Sequence, residues 1–188
     1  MKPTLLKLTV LLGVTVFSGH LYADEQSCDQ NGYNAPLELH KHWIMEGWEK
    51  QEGDPEFVFA EKMNLYYDLE QPEGVFFDNF APGEIQLFDN ALVYGRNWEG
   101  LQAEASSVLH ALTEGHSELV GGEVASTTIG FVGTIDRRAG SIIPFKGRSQ
   151  IGWDCDNGQW KIRQELNYAW IVTREEIAHY YDALEAVQ

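Results

Sequence analysis

Residues 121–169, GGEVASTTIGFVGTIDRRAGSIIPFKGRSQIGWDCDNGQWKIRQELNYA, decide how this chain folds. They read as three long strands joined by two short turns. Residues 124–135 are rich in β-branched side chains, and 136–140 (DRRAG) carry a turn signal. Residues 142–153 form the second strand, 154–158 (DCDNG) the second turn, and 159–169 the third strand. Asn157-Gly158 between apolar-alternating runs predicts a tight hairpin, because both central residues of a type I′ turn need positive φ. Strict alternation puts Trp160, Ile162, Leu166 and Tyr168 on one face of the last strand. Lys161, Arg163, Glu165 and Asn167 fall on the other. Such a sheet has one side to bury, and the rest of the chain must cover it.

Working outward from the meander, the N-terminal end is an address rather than a fold. Lys2 and Lys7 precede an apolar run over residues 8–17, and Leu21-Tyr22-Ala23 ends in a small residue. This is the pattern of a cleavable secretory signal over 1–23, too short to serve as a span of roughly 20 apolar residues. The expected location is therefore secreted or periplasmic, with no membrane association after cleavage. The formal net charge is −16, and losing the two lysines leaves 11 basic against 29 acidic residues. That surface repels nucleic acid and anionic lipid.

The only two cysteines are Cys28 and Cys155. An even count in an oxidising compartment predicts one disulfide, tying an N-terminal arm (residues 24–34) to the last hairpin.

Between arm and meander, Asn34-Ala35-Pro36 opens a helix with Leu37, Trp43, Ile44 and Trp48 at helical spacing up to Gln51. Asp54-Pro55 starts a second, apolar at Phe57, Ala60, Met63, Leu65 and Tyr66. Residues 84–88 alternate as a short strand. Asn97 is a candidate cap for a third helix over 98–112, with Leu101, Ala105, Val108, Leu109 and Leu112 on its apolar side. Residues 117–120 begin another strand. After the meander, Thr173 and Glu176 have the spacing of a capping box, so 173–188 form a C-terminal amphipathic helix. Helices segregated from a mainly antiparallel sheet give the α+β class, with one domain over 35–172.

Gly121-Gly122-Glu123-Val124-Ala125, Pro144-Phe145-Lys146-Gly147-Arg148, Trp153 and Asn157-Gly158-Gln159-Trp160-Lys161-Ile162 together resemble a SnoaL-like domain of the NTF2-like superfamily. Upstream, residues 80–89 (FAPGEIQLFD) and 94–98 (YGRNW) are similar to that family's first strand and the entry to its third helix. The resemblance covers roughly residues 37–169. It implies an NTF2-like cone-shaped α+β barrel, with N-terminal helices packed against a strongly curved, mainly antiparallel sheet. Glycines such as Gly130, Gly133, Gly147 and Gly152 permit such bends.

The resemblance also suggests a site. Asp89 stands where isomerase-like members carry a proton-shuttling carboxylate, which an apolar cone would turn into a general base. Trp43 and Ser149 fall where those members place hydrogen-bond donors. Arg148 matches a frequent arginine that could hold an anionic ligand, or pair with a carboxylate such as Asp78 or Glu165. Leu166 stands where many members have a histidine, giving an apolar wall. Tyr66 and Trp98 join Trp43 among the aromatic residues able to line a ligand cavity. His110 and His116 flank the end of the expected third helix. His40-Lys41-His42 lacks metal-ligand spacing, and no phosphate loop, nucleophile elbow or Cys-x-x-Cys is present. No cofactor or metal is therefore expected.

Three functions follow from the resemblance. One is an exported protein whose cone pocket binds a small apolar or aromatic molecule. Another is an isomerase or polyketide-cyclase type of enzyme using Asp89. The third is a dimerising association module that forms a homodimer.

Overall fold

A computed structural model describes residues 27–185, so the expected signal sequence lies outside the described residues. The fold is α+β, built on one large, curved, unclosed sheet of seven strands. In chain order the strands are β1 Glu73–Asp78, β2 Leu87–Asn90, β3 Ala105–Leu112, β4 Ser117–Gly121, β5 Val124–Arg137, β6 Ile142–Asp156 and β7 Gln159–Ile171. The order across the sheet is β2-β1-β7-β6-β5-β3, with β4 continuing the β3 edge along β5. Only β1 and β7 run parallel.

The meander forms as its sequence predicts, each strand running slightly past the expected end. Asn157 (φ 50°) and Gly158 (φ 78°) make the two-residue turn between Asp156 and Gln159, both with the positive φ that a I′ turn demands. The strict alternation expected for β7 fails, however. Gly152 pairs with Gln164 while Trp153 pairs with Ile162, so Arg163 is an extra residue bulged out of register. Because side chains alternate with period two, one inserted residue exchanges the faces. Trp160 and Ile162 point inward before the bulge, and after it Glu165, Asn167 and Ala169 are the buried residues. Leu166 and Tyr168 are turned outward.

The helices are shorter than the spacing predicts. α1 (Pro36–His42) runs into a π-helical turn, Trp43–Gly47, and stops there. Its first-turn amide at Leu37 is satisfied by Glu118 Oε1 of β4 at 2.9 Å rather than by Asn34. α2 is a single turn, Phe59–Lys62, and its Phe59 amide donates to Glu99 Oε1 at 2.8 Å. Tertiary carboxylates thus do the work expected of local caps.

The third helix is displaced. α3 spans Ala91–Glu104, because the Asn90 side chain accepts from the Leu92 and Val93 amides at 2.9 and 3.2 Å and starts it earlier. Residues 105–112, expected as its second half, are β3. The buried residues there fall three apart, Ala105, Val108 and Ala111, which imitates a helix. The cause is burial on both sides: Val108 faces the interior, whereas Ala111 faces α4 (Arg174–Glu185). α4 starts with the expected capping box, the Thr173 amide donating to Glu176 Oε2 at 2.7 Å and the Glu176 amide to Thr173 Oγ1 at 3.4 Å. It lies on the outer face of the sheet, where Ile177 packs on Ala111 and Val132.

The Cys28–Cys155 disulfide is formed, with the Cα atoms 5.8 Å apart. Beside it Trp160 Nε1 donates to Asp29 O at 2.7 Å, so the arm is held at a second point. Closing a 127-residue separation stabilises the fold by on the order of 4–5 kcal/mol in the chain-entropy picture. Among the described residues no helix is long and apolar enough to cross a membrane.

Candidate functional site

A cavity of about 70 Å³ lies between the inner face of the sheet and the helices. On the scale in which one water takes about 10–15 Å³, it has room for a small organic molecule, not one the size of a steroid. Trp43 and Ile44 from the π-helical turn and Trp48 just after it form one wall, with Tyr94, Trp98 and Gln102 of α3. Val108 and His110 of β3, Phe131 of β5 and Phe145 of β6 form the wall opposite. Asp78 at the end of β1 and Asn167 of β7 contribute polar groups.

Trp48 organises the first wall. Its ring centroid is 5.7 Å from Trp43, edge-on, 5.7 Å from Trp98 and 6.1 Å from Tyr94. The second wall depends on two glycines. A Cβ at Gly133 would meet Phe145 Cζ at 2.2 Å, and one at Gly147 would meet Phe131 Cζ at 2.6 Å. These inner-face rings therefore lie flat across backbone on the neighbouring strand, a pairing open only to glycine.

Behind the cavity is a buried hydrogen-bonded cluster centred on Glu165, which is fully buried. The Tyr94 hydroxyl donates to Oε1 at 2.5 Å, Asn167 Nδ2 donates to the same oxygen at 2.5 Å, and the Tyr67 hydroxyl donates to Oε2. Trp43 Nε1 donates to the Tyr67 oxygen at 3.1 Å, linking cluster to wall. Asp78 Oδ1 accepts from the Phe80 amide at 2.7 Å, while Oδ2 lies 3.4 Å from both Tyr94 Oη and Asn167 Nδ2.

No lysine or arginine among the described residues forms an ion pair with either carboxyl. Burial, only partly offset by the hydrogen bonds, pushes Glu165 up to about 8 and Asp78 up to about 6. Glu165 thus holds its proton to a higher pH than an ordinary carboxyl, and Asp78 titrates just below neutrality. Burial acts oppositely on His110, lowering it to about 4 and leaving it uncharged.

Five residues around the cavity carry a buried polar atom without a protein partner: Trp48 Nε1, Trp98 Nε1, Gln102 Oε1, His110 Nδ1 and Asn167 Oδ1. Each of these atoms is closed off by its neighbours even from a water molecule.

The residues expected to form the site separate. Trp43 and Trp98 line the cavity. Tyr66 is buried but packs away from it, near Gly47 and Met63, and its neighbour Tyr67 enters the cluster instead. Ser149 is buried, its hydroxyl without a partner, but is not part of the cavity wall. Asp89 is exposed on the edge strand β2 and cannot act inside the cavity. Arg148 is exposed on the outer face, so it neither anchors a ligand in the cavity nor pairs with Asp78 or Glu165. Leu166 also lies outside, because the bulge at Arg163 reverses its face. His110 is a β3 cavity residue rather than a helix-end residue.

Asp78, Tyr94, Glu165 and Asn167 are cluster residues outside the expected site, and the bulge in β7 conceals the last two. The signal available for two of them was a Glu-x-Asn pair in a strand otherwise apolar on one face. Reading it required the position of the bulge.

No protein-family model matches the chain, and no curated protein sequence matches it. Solved structures do. A conserved protein from Planctomyces limnophilus superposes with a TM-score of 0.53 at 13% identity, over 71% of this chain and 92% of that one. A protein from Kribbella flavida gives 0.52 at 13% identity, over 62% and 81%. An NTF2-like superfamily protein from Salmonella enterica serovar Typhimurium gives 0.50 at 18% identity, over 58% and 75%. The architecture these chains share with this one is the expected one: the chain has the NTF2-like fold.

Proposed function

We propose that this chain is an exported, SnoaL-like binding protein whose cone closes over a small molecule with an apolar body and a polar group. The observation that carries the reading is the cavity itself, walled by aromatic rings with Asp78 and Asn167 contributing polar groups. Pockets of that composition, mostly apolar with a few convergent polar groups, are how proteins orient small ligands. Export is supported by the leader-like N-terminus and by the disulfide.

A thermal-shift panel of small phenols, indoles, aldehydes and amines tests it. Binding compounds should raise Tm for the wild type and not for Ala169→Leu, which fills the cavity from β7. A panel in which nothing shifts the wild type, or shifts both proteins alike, removes the reading.

A second reading is a proton-transfer enzyme in which Asp78, not Asp89, is the base. It is favoured by a carboxyl at about 6 on the cavity wall, the range in which a general base works near neutral pH. Glu165 and Tyr94 stand directly behind it as proton-holding groups. Deuterium exchange at the carbon next to the carbonyl of small ketones, followed by NMR, should be accelerated by the wild type and not by Asp78→Asn. Equal rates with both would end this reading. Homodimerisation is a separate matter: α4 covers part of the outer face, on which Tyr168 and Trp170 are exposed.

A further inference from the structure

We infer that the ligand this cavity is built for is a small alkylammonium ion. The inference rests on the binding reading above and names its ligand class. It starts from charge. The titratable groups on the wall are Asp78, Tyr94 and His110, with no lysine or arginine. An anionic ligand would meet Asp78 with no counter-charge in reach, whereas a cation would supply the one that Asp78 and Glu165 lack among the described residues.

The aromatic wall has the matching chemistry. Trp48, Trp43, Trp98 and Tyr94 line one small space, the last three with ring centroids within about 6 Å of Trp48. Ring faces are negative, and such enclosures attract organic cations, tryptophan most strongly. Neutral His110 adds no opposing charge.

Binding of a cation is then linked to proton release. The groups facing Asp78 are Tyr94 of α3 and Asn167 and Glu165 of β7, with His110 of β3 on the same wall. None is cationic at neutral pH, so a bound ammonium ion favours the ionised carboxylate. Affinity should therefore rise with pH as Asp78 loses its proton around 6.

The test is isothermal titration of the mature chain with ethanolamine and choline, each beside its uncharged isostere, propan-1-ol and 3,3-dimethylbutan-1-ol. Each cation should bind at least tenfold more tightly than its isostere at pH 7.5. Choline, whose charge does not depend on pH, should bind at least threefold more weakly at pH 5 than at pH 7.5. Asp78→Asn should remove at least tenfold of cation affinity, bringing each cation close to its isostere. The wild-type pH series needs no variant, so the inference stays testable if Asp78→Asn does not fold. Isosteres binding as well as cations would overturn the ligand class and leave the binding reading intact. If none of the four binds, the ligand class is overturned, and the broader thermal-shift panel decides the binding reading separately.

Discussion

The two halves of β7 share a strand and a neighbour, β6, yet they do different things. Before Arg163 the inward residues are Trp160 and Ile162, both 2% exposed and packed in the main core. After it they are Glu165, Asn167 and Ala169, around which the polar cluster and the cavity are built. The second half inverts the usual preference, hiding a carboxyl while Tyr168 (58% exposed) and Trp170 (44%) face outward. A core chosen for stability alone would be arranged the other way round. The inversion places the cavity at this end of the sheet, and a single bulged residue produces it.

Within the packing half, Trp160→Ala should cost about 3–5 kcal/mol, the range for emptying a large aromatic site in a core. It also removes the indole hydrogen bond to Asp29, so the arm near Cys28 should exchange its amide protons faster. Urea titration and hydrogen exchange measure the two consequences.

Much of the fold was legible because the meander carries its own punctuation. Asn157-Gly158 can be read without knowing what surrounds it, since the need for positive φ is local. Thr173 and Glu176 are the same kind of signal, and they are bonded as expected. What could not be read was set by distant partners. β3 imitates a helix because α4 covers its outer side. α1 and α2 take their first-turn acceptors from Glu118 and Glu99, far away in sequence. The site was hidden for the same kind of reason: a bulge leaves almost no trace in a strand's composition, and one residue of slip assigns Leu166 to a wall that Asn167 occupies. Trp43 and Trp98 were found because aromatic residues are conspicuous whichever way the register runs.

The buried carboxyl in the second half predicts a pH dependence with a definite sign. The folded protein holds Glu165 near 8, above the unfolded carboxylate value of about 4.3, so the folded state binds the extra proton. Its stabilising effect is complete below the unfolded value and is lost as pH rises toward 8. Below about 6.5 the buried neutral histidines, His40 at about 3 and His110 at about 4, give an opposing slope, because they must be charged on unfolding. Asp78, near 6, is largely ionised above that point. From about pH 7.5, where unfolded histidine is largely neutral, to pH 8, Glu165 acts almost alone. Stability should fall there by up to about 1.4 kcal/mol per pH unit, and Glu165→Gln should flatten the decline. A slope that survives the substitution would move the proton to another group.

The smallest effect should come from the residue next door. Leu166 lies outward on β7, beside the grooves of the outer face and away from the cavity. Leu166→Thr keeps a strand-compatible side chain at a half-exposed position, so its effect on stability should stay within about 0.5 kcal/mol. Ligand-induced shifts in Tm should be unchanged as well. Asn167→Leu, one residue further along, removes the donor to Glu165 Oε1 and a polar group of the wall, and those shifts should disappear. If Leu166→Thr were instead the variant that altered binding, the strand would be in the register that strict alternation predicts. The comparison between the two halves of β7 would then have to be drawn without a bulge.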